Sequence, residues 1–91
     1  MNEDSWKVVF TPEAEKDFFK LDPQVQRLIQ QYLRKKIATP LTPKRFGKQL
    51  AGNLSHFWRF RVGEYRLLCL IKDRELTVFV VHVGHRREVY H

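Results

Sequence analysis

Residues 57–72 read Phe-Trp-Arg-Phe-Arg-Val-Gly-Glu-Tyr-Arg-Leu-Leu-Cys-Leu-Ile-Lys, and the reading of this stretch decides the fold. Two β-rich runs, Phe57 to Val62 and Tyr65 to Lys72, flank Gly63-Glu64, a break short enough for a hairpin turn. A third run, Leu76 to Gly84, follows a second break at Asp73-Arg74, so the back of the chain is expected to form an antiparallel sheet. Strand alternation puts Trp58, Phe60 and Val62 on one face of the first run and Phe57, Arg59 and Arg61 on the other.

Ahead of this sheet the signals change. Lys7 to Phe10 is a short strand candidate. Thr11-Pro12 then starts a helix, with a hydroxyl able to cap and a proline in the first helical position, running to about Lys20. Asp22-Pro23 repeats that start chemistry, and Val25, Leu28, Ile29, Tyr32, Leu33 and Ile37 follow at helical spacing on one face. Arg34, Lys35 and Lys36 close this second helix, where cations suit the negative end of its dipole. Thr39-Pro-Leu-Thr-Pro43 forbids further helix. The expected fold class is α+β: two N-terminal helices packed on a small antiparallel sheet, in the order β-α-α-β-β-β.

The 91 residues are expected to form one domain over residues 1–91, with 43% apolar and 30% charged residues arguing against disorder or fibrous repeats. The longest apolar run, Leu67 to Ile71, is far short of the roughly 20 residues that cross a bilayer, so neither a membrane span nor an export signal is expected. The single cysteine, Cys69, lies in that run and reads as a buried core thiol of a cytoplasmic protein. The net charge is +7, and it is unevenly placed. Residues 1–40 hold 7 bases and 6 acids, whereas residues 41–91 hold 10 bases and 4 acids. Such asymmetry favours a polyanion, with nucleic acid ahead of a membrane surface.

Arginine stays charged at physiological pH and offers five donors in a plane, so Arg59 and Arg61 suit phosphate binding but not proton removal. Arg66 shares its face with Leu68, near the apolar side of the sheet or at its edge. There it needs an anion, either an acidic side chain or a phosphate. The closing His85-Arg86-Arg87-Glu88-Val89-Tyr90-His91 mixes imidazoles, cations and an aromatic ring, a set that fits RNA cleavage by the ribose 2′-OH. The competing reading of this tail is a solvated, frayed terminus. His82 and His85 are an odd number of residues apart and point to opposite faces of a continuous strand, and Cys69 has no C-x-x-C partner, so no metal site is expected.

With these residues in view, the sequence resembles the RelE/ParE superfamily of bacterial toxin–antitoxin toxins, closest to its RelE/StbE branch. The resemblance is carried by Phe10-Thr-Pro-Glu-Ala-Glu-Lys-Asp-Phe, Leu21-Asp-Pro, Leu50-Ala-Gly, Trp58-Arg-Phe-Arg-Val-Gly-Glu-Tyr-Arg-Leu-Leu and Val83-Gly-His-Arg-Arg-Glu-Val-Tyr-His. It implies a toxin that enters the ribosomal A site and cuts messenger RNA without a metal or other cofactor, leaving a cyclic phosphate. It also implies a cognate antitoxin that blocks the cut, with operator DNA reached only through that antitoxin.

By position, the resemblance gives Arg59, Arg66 and Arg86 as the basic residues holding the scissile phosphate and Tyr90 as the aromatic ring on the base. Two strand lysines common in RelE-type members are replaced here by Phe57 and Arg59. His85 is the favoured substitute base, His91 the candidate acid and Glu88 a third candidate. Lys44, Arg45, Lys48, Arg61 and Arg87 are expected to contact RNA backbone. Two other functions stay open: a ParE-like gyrase poison, and a basic nucleic-acid-binding module without catalysis.

Overall fold

The computed structural model describes residues 5–87; Glu88, Tyr90 and His91 lie outside them. Strand β1 (Lys7–Phe10) leads into helix α1 (Pro12–Phe19), α2 (Pro23–Tyr32), a π-helical turn (Leu33–Ile37) and the short strand β2 (Lys48–Gln49). Strands β3 (Phe57–Val62), β4 (Tyr65–Lys72) and β5 (Thr77–His85) complete a five-stranded sheet in the order β1-β5-β4-β3-β2. The two helices lie on one mostly antiparallel sheet, as the α+β reading requires. Two features exceed that reading. β2 adds an edge strand, and β1 pairs with β5 in parallel, from Lys7 opposite Thr77 to Phe10 opposite Val80.

The helix starts follow local chemistry unequally. Thr11 Oγ1 accepts from the Ala14 amide at 3.2 Å, and Pro12 takes the first helical position. Asp22, expected to act like Thr11, makes no side-chain capping bond; Pro23 starts α2, and Gln26 Nε2 donates to the Leu21 carbonyl at 2.9 Å. Arg34, Lys35 and Lys36 sit in the π turn, closed by the Ala38 amide on the Leu33 carbonyl at 2.7 Å. Among the described residues no helix is long and apolar enough to cross a membrane.

The core lies between the helices and one sheet face. Ala14, Phe18, Ile29, Leu33 and Ile37 meet Phe60, Val62, Leu67, Cys69, Val78, Val80 and Val83, all buried. Burial of a side chain such as Phe60 contributes about 1.5–3 kcal/mol, and burial pushes the Cys69 thiol well above its ordinary value. One irregularity interrupts β5. Leu68 pairs with His82 but Cys69 pairs with Val80, leaving Val81 as an extra residue in a bulge. Without it, the alternation that buries Val78 and Val80 would send His82 into the core; with it, Val83 is buried instead.

Gly47 is fixed by this core. A Cβ there would sit 2.8 Å from two atoms of the Phe60 ring, which is enclosed and has nowhere to go. Gly47→Ala is therefore expected to lower stability by about 1–3 kcal/mol, read as a lower urea midpoint with an unchanged slope. An unshifted midpoint would refute this packing constraint.

Candidate functional site

With one face buried, strand register dictates what stands on the other. Arg59 pairs with Lys48 on β2 and with Leu68 on β4, and Leu68 pairs with His82 on β5. The neighbouring row runs Arg61, Arg66, Gly84. Lys48, Arg59, Arg61 and Arg66 therefore share the face turned away from the helices. Arg66 is in mid-sheet on that outer face, not near the apolar side or at an edge as its neighbour Leu68 led one to expect; Leu68 itself points outward.

Arg66 is under electrostatic pressure. Its guanidinium is held below its ordinary arginine value, first by desolvation and then by repulsion from Arg59, Arg61 and Arg86. Arg66 Nε, Arg66 Nη1 and Arg59 Nε are buried and have no hydrogen-bond partner among the described residues. Protein donors buried in this way ordinarily find an acceptor. Of the two anions the sequence left open for Arg66, no acidic side chain among the described residues takes the place. Arg86, just past β5, is placed by its own amide on the Glu64 carbonyl at 2.8 Å, and its Nε lies 3.1 Å from Glu64 Oε1. Glu64 is two-thirds exposed, so this pair trims the cluster's charge without removing it.

The other sequence candidates divide. Lys48, Arg61 and Arg87 are exposed, the first two on the arginine face. Lys44 is elsewhere: its Nζ lies 2.9 Å from Asp73 Oδ2 and 5.6 Å from the ring of Trp58, on the helix side of the sheet. Arg45 stacks 4.3 Å from the Phe46 ring, which Lys36 approaches at 5.0 Å. His85 pairs with Tyr65, its ring 5.5 Å away edge-on, and this register puts it on the side opposite Arg59 and Arg66. Its Nδ1 accepts from the Arg87 amide at 3.3 Å, and its Nε2 is 3.9 Å from Glu64 Oε1. The Tyr90 and His91 roles fall on residues outside those described.

Sequence reasoning considered His82 only as a metal ligand. In the fold its Nδ1 lies 2.6 Å from Asp17 Oδ2, and the same oxygen accepts the Val83 amide at 3.1 Å. The two residues are 65 positions apart, and the single sequence carries no signal that joins them.

Three comparisons bear on this arrangement. The family model described as the ParE toxin of the type II toxin–antitoxin system, parDE, matches residues 8–90. Toxin RelG of Mycobacterium tuberculosis is 33% identical over 85 residues, which is 93% of this chain and 95% of that protein. A chain of the toxin–antitoxin complex RelBE2 from the same organism superposes with a TM-score of 0.83 at 31% identity, covering 96% of this chain and 98% of its own. The isolated E. coli RelE toxin superposes with a TM-score of 0.69 at 23% identity over 89% of this chain and 84% of its own, a likeness of fold.

The like-charge crowding has a measurable sign. Folding disfavours the charged form of Arg66, so replacing it with a neutral side chain of similar length relieves repulsion. Arg66→Met is expected to melt at the same temperature as the parent or above it in low-salt buffer. A drop of several degrees would mean that Arg66 is held by a stabilising anion.

Proposed function

This chain belongs to the RelE/ParE superfamily of type II toxin–antitoxin toxins, and from that membership we propose that it is a ribosome-dependent endoribonuclease that cuts messenger RNA in the A site. The observation that carries the reading is the set of buried guanidinium nitrogens on Arg59 and Arg66 that have no hydrogen-bond partner among the described residues. They offer preorganised positive charge and unused donors on the outer face of a rigid sheet, which is what a phosphate gathering negative charge in a transition state requires.

In this reading Arg59, Arg66 and Arg86 hold the scissile phosphate while the ribose 2′-OH attacks it. The P–O5′ bond breaks, leaving a 2′,3′-cyclic phosphate and a 5′-hydroxyl. The three arginines carry the charge stabilisation, so the reading needs no metal. Tyr90 would orient the base and His91 would supply the proton to the leaving oxygen. Lys48, Arg61 and Arg87 would meet ribosomal RNA backbone, making association strongly salt-dependent. Lys44 and Arg45 contribute less, because Asp73 and Phe46 already engage them. The proposed protein partner is a cognate antitoxin: the relative at 31% identity was solved in a toxin–antitoxin complex. Operator DNA would be reached only through it.

A second reading, a gyrase poison, draws on the description of the matching family model as a ParE toxin. The two readings separate in the test tube. Purified protein with programmed ribosomes is expected to cut the A-site codon in excess EDTA. Arg59→Ala and Arg66→Ala are each expected to slow single-turnover cleavage by about 10²–10³-fold while ribosome binding stays within a few-fold. Intact message on demonstrably occupied ribosomes would refute the nuclease, and trapped DNA cleavage in a gyrase supercoiling assay would establish the rival.

A further inference from the structure

The nuclease reading leaves one role without an owner on the arginine face: arginine cannot accept the 2′-OH proton. His85 is poorly suited on two counts. The register turns it to the opposite side of the sheet, and its Nδ1 accepts a hydrogen bond from Arg87, which leaves the ring proton on Nε2. The neutral ring has no second lone pair to offer.

His82 presents the reverse arrangement. The β5 bulge turns it out of the core and onto the face of Arg59 and Arg66. It occupies the same cross-sheet row as Arg59, two strands away, a span of about 10 Å across Leu68. It is also diagonal to Arg66, whose direct partner Gly84 contributes no side chain. The Asp17 carboxylate, an acceptor, is 2.6 Å from Nδ1 and so fixes the ring proton there. In the neutral ring Nε2 then carries the lone pair, on a side chain that is 42% exposed. Asp17 is fixed in turn by the Val83 amide. The charged groups that line a cleft with His82 are Asp17 and Lys20 from α1, and the register puts Arg66 on β4 and Arg59 on β3 on the same face, one and two strands away.

We propose that His82 is the general base of the cleavage, with Asp17 as the positioning residue that selects its tautomer. The proposal rests on the nuclease reading. His82 Nε2 takes the 2′-OH proton as the 2′-O–P bond forms. The P–O5′ bond breaks, and the leaving oxygen takes a proton from the acid or from water. The imidazolium then returns its proton to solvent.

The test is single-turnover cleavage of message on programmed ribosomes across pH 5 to 8, alongside ribosome binding and thermal melting. His82→Asn keeps a donor to Asp17 but removes Nε2. It is expected to fold and to bind ribosomes as the parent does, to cut about 10²–10⁴-fold more slowly, and to lose the limb over which the parent's rate rises with pH. Asp17→Ala removes the one oxygen, Oδ2, that accepts both the Val83 amide and the His82 Nδ1–H, so cleavage is expected to fall at least about tenfold with His82 in place; Asp17→Asn, whose amide oxygen can take that position and meet both donors, is expected to restore most of it. Cleavage by His82→Asn within threefold of the parent, or with the same pH limb, overturns the proposal and leaves the nuclease reading standing. If His82→Asn does not fold, the parent's own profile decides: a rate rising with pH supports the base, and a flat one overturns it. Absence of cleavage by the parent overturns both readings.

Discussion

One-sided burial is the constraint on which the rest depends. Two short helices can cover only one face of the sheet, and the residues that fill that interface, from Phe60 and Val62 on β3 to Leu67 and Cys69 on β4, set the pairing of the strands. A slip by a single residue would turn Arg59 or Arg66 into the core and Phe60 or Leu67 into water. The apolar packing therefore does more than stabilise. It places several guanidinium groups on the outer face with no freedom to move to the other side, and the burial free energy offsets the desolvation and repulsion that Arg66 suffers.

A second constraint acts at the sheet edge. β1 stops at Phe10, opposite Val80, yet β5 continues to His85, so the last residues of β5 lose their neighbour on that side. The Thr11 amide still reaches the Val80 carbonyl at 3.0 Å, and beyond that point a side chain takes over: Asp17, one turn into α1, accepts the Val83 amide. An unmet strand amide is costly, and a carboxylate is a strong acceptor for it. The same carboxylate then reaches His82. An edge requirement of the backbone and the orientation of an imidazole are thus met by one group.

Much of this was legible in the sequence because it rests on short-range rules. The Gly63-Glu64 hairpin, the two proline-started helices and the alternation separating Phe60 from Arg59 and Arg61 all follow from spacing within a few residues. What escaped is long-range or out of phase. The parallel pairing of β1 to β5 joins segments 70 positions apart, from Lys7 to Thr77, with no local mark. The Val81 bulge breaks the period on which face assignment relies, so Val78, Val80 and Val83 are buried where strict alternation would choose His82. Arg66 was legible as a basic residue in need of an anion but not as one crowded by three others, because that crowding exists only once three strands and the chain after β5 are in register. The same limit hid Lys44, whose partner Asp73 comes from the turn after β4.

The bulge also bears on how acid–base and charge-stabilising roles would be divided in the proposed cleavage. In a strand of strict period two, an outward histidine at position 82 would require outward positions at 78 and 80 as well, and the core would lose two valines. One inserted residue removes that conflict. β5 fills the interior from 78 to 80, then resets so that its far half buries Val83 and turns His82 outward beside the arginines. The cost is local disruption of the ladder at the one place where Asp17 is available to bond the strand from outside. In the proposed cleavage, guanidinium groups from β3 and β4 would then carry charge while an imidazole from β5 would carry the proton. Each residue type is confined to the task its chemistry permits, and their relative positions are fixed by the packing of the opposite face.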